Sequence, residues 1–222
     1  MPRNHPSLAL VSAVLLPFTA AGEVVCALGS ASSYNSYQDE RPSRDAMQLA
    51  GQVNAALTPI CRPRCPEIAL FRNATAPNVM LIAGDGQAKI VYAPQFFTTV
   101  FDADGDAAIV ALIAHELGHA VDETAPASWI KRSWSPELRA DAWAACVLAK
   151  VRPTPSGLRE ALAAIAKYPS AAHPGWNARL PALRVGFTQC GGDGSQFDRT
   201  AAGTWTQRSR RSLRPRALAG HN

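Results

Sequence analysis

The hydrophobic pattern of the chain changes period several times. Residues 8–21 (LALVSAVLLPFTAA) form an uncharged apolar run that Glu23 interrupts. Residues 30–42 are small and polar and predict a linker. From Ser43, Met47, Ala50, Val53 and Leu57 recur at helical spacing, which predicts a Ser43-capped helix to about Leu57. A Pro/Cys-rich turn at 58–66 leads into three short, β-leaning segments, 67–71, 79–83 and 88–93. Gly84-Asp85-Gly86 between the last two predicts a hairpin. Asp106 opens a strong helical stretch, AAIVALIAHELGHAVDE, and 129–135 reads as a loop. Pro136 begins an amphipathic helix, and two further helices are expected at 157–167 and 177–185. Helix, small sheet, then helices is the order of a helix-rich α+β domain.

At 222 residues, 47% hydrophobic and 18% charged, the chain can bury one sizeable core, which excludes wholesale disorder. The leader is its one long apolar run, so a polytopic membrane protein is excluded. The net charge of +5 is misleading, because residues 28–198 hold 15 basic and 16 acidic side chains. Six arginines lie in 199–222, so the basic balance belongs to the tail and a nucleic-acid partner is not expected. Residues 191–222 are expected to be a disordered basic tail, able at most to touch a membrane surface.

Residues 1–27 read as a signal peptide, with cleavage after Ala21 or Ala27. Residues 28–42 then form the linker and 43–190 the domain. This implies export, to a periplasm or the exterior, with tethering through an uncut leader as the alternative. Five cysteines agree with export: without Cys26, four remain, an even number suited to two disulfides. Three pairings are open. Cys61 with Cys65 would staple a tight loop, and Cys146 with Cys190 would tie a helix to the C-terminal segment.

The chemistry concentrates in His115-Glu116-Leu117-Gly118-His119. Residues four apart share a helix face, so both imidazoles can reach one Zn²⁺, while Glu116 flanks the ion and can carry a proton. This helix is apolar nearly all round, and burying two histidines and a glutamate there without a partner is costly. A third ligand is needed. Glu137 begins the next strong helix and Asp141 follows one turn later. We assign Glu137 to the metal, and Asp141 as acceptor for a ligand histidine's N–H. Gly118 leaves room beside the metal or a packed neighbour.

HELGHA, then Glu137-Leu138-Arg139-Ala140-Asp141, then His173-Pro174 with Arg179-Leu180, resembles the HtpX-type gluzincin metallopeptidases, the group that includes the CAAX prenyl endopeptidases. The resemblance spans about residues 45–185. It implies a zincin-like fold, one Zn²⁺ per chain on His115, His119 and Glu137, and Glu116 as catalytic base. It also implies that His173 meets substrate or oxyanion and that Arg179 braces the zinc-site carboxylates. The expected activity is hydrolysis of peptide bonds in exported or envelope proteins, with protein or peptide as partner. Strand 88–93 or 67–71 would align the peptide. The alternatives are a catalytically silent zinc-binding holdase or assembly factor, in which His173 shuts the site, and a binding protein driven by the arginine tail.

Other signals read as structural. Asp102, Asp104 and Asp106 lack the glutamate a calcium loop needs, since position 113 is Ile113. Trp129, Trp134, Trp143, Phe97 and Phe101 are expected to pack. Asn73-Ala74-Thr75 matches a glycosylation acceptor by pattern only.

Overall fold

The computed structural model describes residues 11–12, 23–27, 33–84, 87–167 and 173–212. Its elements run β1 (Val11–Ser12), β2 (Glu23–Ala27), α1 (Arg44–Cys61), β3 (Ile68–Arg72), β4 (Val79–Gly84), β5 (Gln87–Tyr92), α2 (Pro94–Thr124), α3 (Pro136–Val151), α4 (Pro155–Lys167), α5 (Trp176–Gln189) and α6 (Gly194–Ser212). The helix-rich α+β architecture agrees with the sequence.

At the centre of the sheet, β5 pairs parallel with β3 and antiparallel with β4. Gly84 faces Gln87, as expected for a hairpin, with residues 85–86 outside the described ones. β1 and β2, both from the segment read as a leader, flank this core, giving the order β1-β3-β5-β4-β2. Alternation along the strands serves two faces. Val79, Leu81, Ile90 and Tyr92 join the main core, while Met80, Ile82 and Val91 join a smaller cluster behind the sheet.

The linker expectation is corrected. Residues 33–42 cover that rear face: Tyr34 packs on it, Glu40 bridges Arg72, and Asp39 pairs with buried Lys89 at 2.6 Å. A charge on a central strand is sustained when a carboxylate is buried with it. Asn73 is buried too, and its Nδ2 donates to Asn35 O and Asp39 Oδ1, both at 2.8 Å, so it is not a surface glycosylation site.

Ser43 caps α1 as expected, its Oγ accepting from Ala46 N at 3.2 Å. The helix expected from Asp106 is the second half of α2. Gly105 (φ 72°, ψ −173°) breaks α2 and separates a first helical piece, 94–104, that the sequence reading missed. In that piece Phe97 is buried, but Phe101 is 51% exposed rather than packed.

The tail expectation is corrected as well. α6 packs on α4 and α5, with Phe197, Thr200 and Ala201 buried and the Phe187 and Phe197 ring centroids 5.5 Å apart. One apolar side of its first turns sufficed to order what charge alone suggested was loose. Residues 213–222 lie outside the described ones.

Both candidate disulfides are present, Cys61–Cys65 and Cys146–Cys190, with Cα–Cα distances of 4.8 and 5.1 Å. No helix among the described residues is long and apolar enough to cross a membrane.

Candidate metal centre

Two small residues decide how closely the site-bearing helices approach. A Cβ on Gly118 of α2 would stand 2.9 Å from Ala140 O and from Trp143 Cβ, both on α3. A Cβ on Gly186 of α5 would stand 1.8 Å from Ala142 O of α3. Glycine at both positions lets backbone meet backbone, so α3 is gripped between α2 and α5. Trp143 is fully buried in that contact, its ring 5.2 Å from that of Trp129. The loop between α2 and α3 is held by Arg139, which donates to Asp122 Oδ2 at 2.7 Å and to Trp134 O at 2.5 Å. The sequence reading missed this brace, although Asp122 and Arg139 sit three and two positions beyond His119 and Glu137.

The grip brings the expected side chains together. His115 and His119 lie one turn apart on α2, ring centroids 5.1 Å apart and planes at 88°. Glu137, in the first turn of α3, places Oε2 3.2 Å from His115 Nε2 and Oε1 3.6 Å from His119 Nε2. All three residues are buried, and one ligand atom from each lies within 4.8 Å of the others. Donors around a tetrahedral ion bound at about 2.0–2.1 Å sit roughly 3.3–3.4 Å apart, so this group could hold a metal ion. His119 supports the fit: its Nε2 is buried and has no hydrogen-bond partner among the described residues. Burying an imidazole nitrogen with nothing to bond is costly unless an ion takes the lone pair.

Electrostatics favours the same use. Burial, together with the neighbouring His115 charge, pushes the His119 pKa down to about 3, so it is neutral and able to ligate at pH 7. Burial also opposes charge on Glu137, but hydrogen bonds from His115 and His173 outweigh it and hold the carboxyl well below its ordinary range. For His115, burial is outweighed by hydrogen bonds to Asp141 and Glu137, and the pKa rises to about 9. Metal-free His115 is therefore protonated at pH 7.

Asp141 stands 3.0 Å from His115 Nδ1, the acceptor position expected of it. With Nδ1 donating there, Nε2 is the nitrogen directed at Glu137 and left to act as a ligand atom. Arg179 of α5 takes both oxygens of Asp141, Nε to Oδ2 at 2.7 Å and Nη2 to Oδ1 at 2.6 Å, and its Nη1 donates to Ile165 O at 2.7 Å. His173 is buried, its Nε2 2.7 Å from Glu137 Oε2 and 3.4 Å from His115 Nε2. Three of the chain's five histidines thus converge here.

Glu116 is fully buried beside this group, and its Oε2 accepts from the backbone N–H of Leu81 on β4 at 2.9 Å. Sequence reasoning missed that contact, which uses main chain and leaves no side-chain signal. The strand so joined is β4, which lies between β5 and β2, and not β5 or β3, the strands expected to align a peptide. A separate 460 Å³ cavity between α1 and the first part of α2, lined by Arg72, Tyr92, Phe97 and Phe101 among others, includes none of these residues.

No family model, no curated protein and no solved structure matches this chain.

Proposed function

We propose that the chain is an exported zinc endopeptidase of the HtpX-like gluzincin type, with a zincin-like fold. The observation that carries this reading is the convergence of His115, His119 and Glu137 at ion-binding separation, with a fully buried glutamate next to the first of them. Two imidazoles and one carboxylate are a donor set suited to Zn²⁺ with one position left open. Three segments in sequence order, H-E-x-x-H, E-x-x-x-D and H-P-x-x-x-x-R, supply side chains that meet at this one place, which supports the resemblance. Two disulfides support export to an oxidising compartment.

His115, His119 and Glu137 would hold the ion, which would supply Lewis acidity to the attacking water and to the scissile carbonyl. Glu116 would take the proton from the attacking water as its oxygen adds to the carbonyl carbon, then pass it to the amine nitrogen as the C–N bond breaks. Leu81 N–H holds one Glu116 oxygen and so fixes the carboxylate's direction. Asp141, clamped by Arg179, fixes the His115 tautomer. His173 donates a hydrogen bond to the developing oxyanion. Glu116→Gln tests the reading: it should retain about one zinc per chain and lose peptide cleavage by about 10²–10⁴-fold. Cleavage at the wild-type rate removes the mechanism.

A second reading follows from His173, whose Nε2 is as close to the His115 donor atom as a fourth ligand would be. If it closes the coordination sphere, the protein is a zinc-stabilised holdase or assembly factor. His173→Ala separates the two. It lowers cleavage if His173 serves the oxyanion, and awakens cleavage in a silent protein if His173 blocks the ion.

A further inference from the structure

β4 carries the amide that anchors Glu116, and β2 lies along its outer side. Glu23–Ala27 runs antiparallel to β4, with Glu23 opposite Ala83 and Ala27 opposite Met80. The ladder is not continuous. Val24 faces Ile82 and Cys26 faces Leu81, so residue 25 is an extra, bulged residue. The irregularity falls at Leu81, whose N–H goes to the Glu116 carboxylate instead. The backbone of 24–26 therefore passes the point on the strand where the proton-carrying group is fastened. The candidate ligands His115, His119 and Glu137 lie on α2 and α3. Segment 23–27 completes a strand edge.

We infer that residues 23–27 are an intramolecular competitor for an extended peptide at the β4 edge, a role that rests on the peptidase reading above. An open strand edge offers main-chain hydrogen bonds to any extended chain, with little demand on its sequence. A tethered strand competes at an effective concentration of about millimolar, enough to exclude a peptide of ordinary affinity. The site of leader cleavage then sets the state of the edge. Cleavage after Ala21 leaves Glu23–Ala27 seated on β4, and cleavage after Ala27 removes it.

The probe is a fluorescein-labelled peptide, GEVVSAL, which copies residues 22–28 with serine in place of Cys26. Its binding is read by fluorescence anisotropy against the full chain and against the full chain carrying Val24→Pro with Val25→Pro. Adjacent prolines remove one ladder donor whichever of the two N–H groups faces β4. The prolined chain should bind the peptide at least about tenfold more tightly than the unaltered chain. Chains that start at Gly22 and at Leu28, both of which lack β1, make the same comparison without proline. Equal binding by altered and unaltered chains, or none by folded altered chains, overturns the inference. So does unfolding of both the prolined chain and the chain from Leu28, since a strand needed for folding is not a competitor. Anisotropy requires no bond cleavage. Discrimination without hydrolysis keeps the competitor and removes the peptidase; hydrolysis without discrimination does the reverse.

Discussion

Arg179 holds both carboxylate oxygens of Asp141 in a fork, and Asp141 in turn meets Nδ1 of His115. Arg179 is 2% exposed and Asp141 fully buried. Removing one partner leaves an uncompensated charge in the interior, so Arg179→Ala should cost about 3–5 kcal/mol, measured by denaturant unfolding. Arg179→Lys keeps the charge and loses the fork, and should lower zinc affinity through the freed His115 ring.

Acid should weaken the same brace. Burial raises the Asp141 pKa, but the Arg179 hydrogen bonds and charge outweigh it and hold it below 3.8. Its contribution to stability is therefore present above the ordinary aspartate value and is lost as pH falls through the lower folded-state value. Acid unfolding of Asp141→Asn should show a smaller pH dependence below pH 4 than that of the unaltered chain.

Zinc uptake should release a proton from His115. Its pKa of about 9 without metal means that Nε2 is protonated at pH 7 and must be deprotonated to ligate. Calorimetric titration in buffers of different ionisation enthalpy should show this release at pH 7 and its disappearance above about pH 10. In the metal-free protein the sign is the usual one for a raised histidine: the stabilisation is full below pH 6.5 and is lost as pH rises through about 9.

The helix grip should be sensitive to one methyl group. Gly186→Ala places a carbon where Ala142 O stands, so α3 and α5 must separate. The expected cost is about 1–3 kcal/mol. Gly118→Ala meets Ala140 O and Trp143 at 2.9 Å, and should shift Glu137 from the imidazoles enough to weaken zinc binding, read by competition with a chromogenic chelator.

The two disulfides should differ in worth. Cys146–Cys190 closes 44 residues and Cys61–Cys65 closes four. Chain entropy alone gives about 4 kcal/mol for the first and about 2 kcal/mol for the second. Paired Cys→Ala variants, compared by denaturant midpoint, should keep that order.

What the sequence made legible follows from the range of the interactions involved. His115 and His119 are tied by helix periodicity, and Glu137 with Asp141 by the same four-residue spacing on the next helix, so their shared faces could be read directly. Ser43, Pro136 and the strand segments carry local signals of cap, first turn and alternation. Contacts made by main chain or through distant packing had no such signal. Leu81 N–H on Glu116 is one example, and the seating of Phe197 in α6 is another. Asp39 looked like part of a polar linker because its partner, Lys89, lies fifty residues away on a central strand.

Glu137 and Asp141 sit on α3, Arg179 sits on α5, and Cys146–Cys190 bolts those two helices together. The strand along the outer side of β4 comes instead from the N-terminal segment 23–27. If the proposed reading holds, ion retention and admission of a guest fall to separate regions of the molecule. On the proposed reading, an N-terminal trim would change what reaches the β4 edge without touching the helices that carry His115, His119 and Glu137.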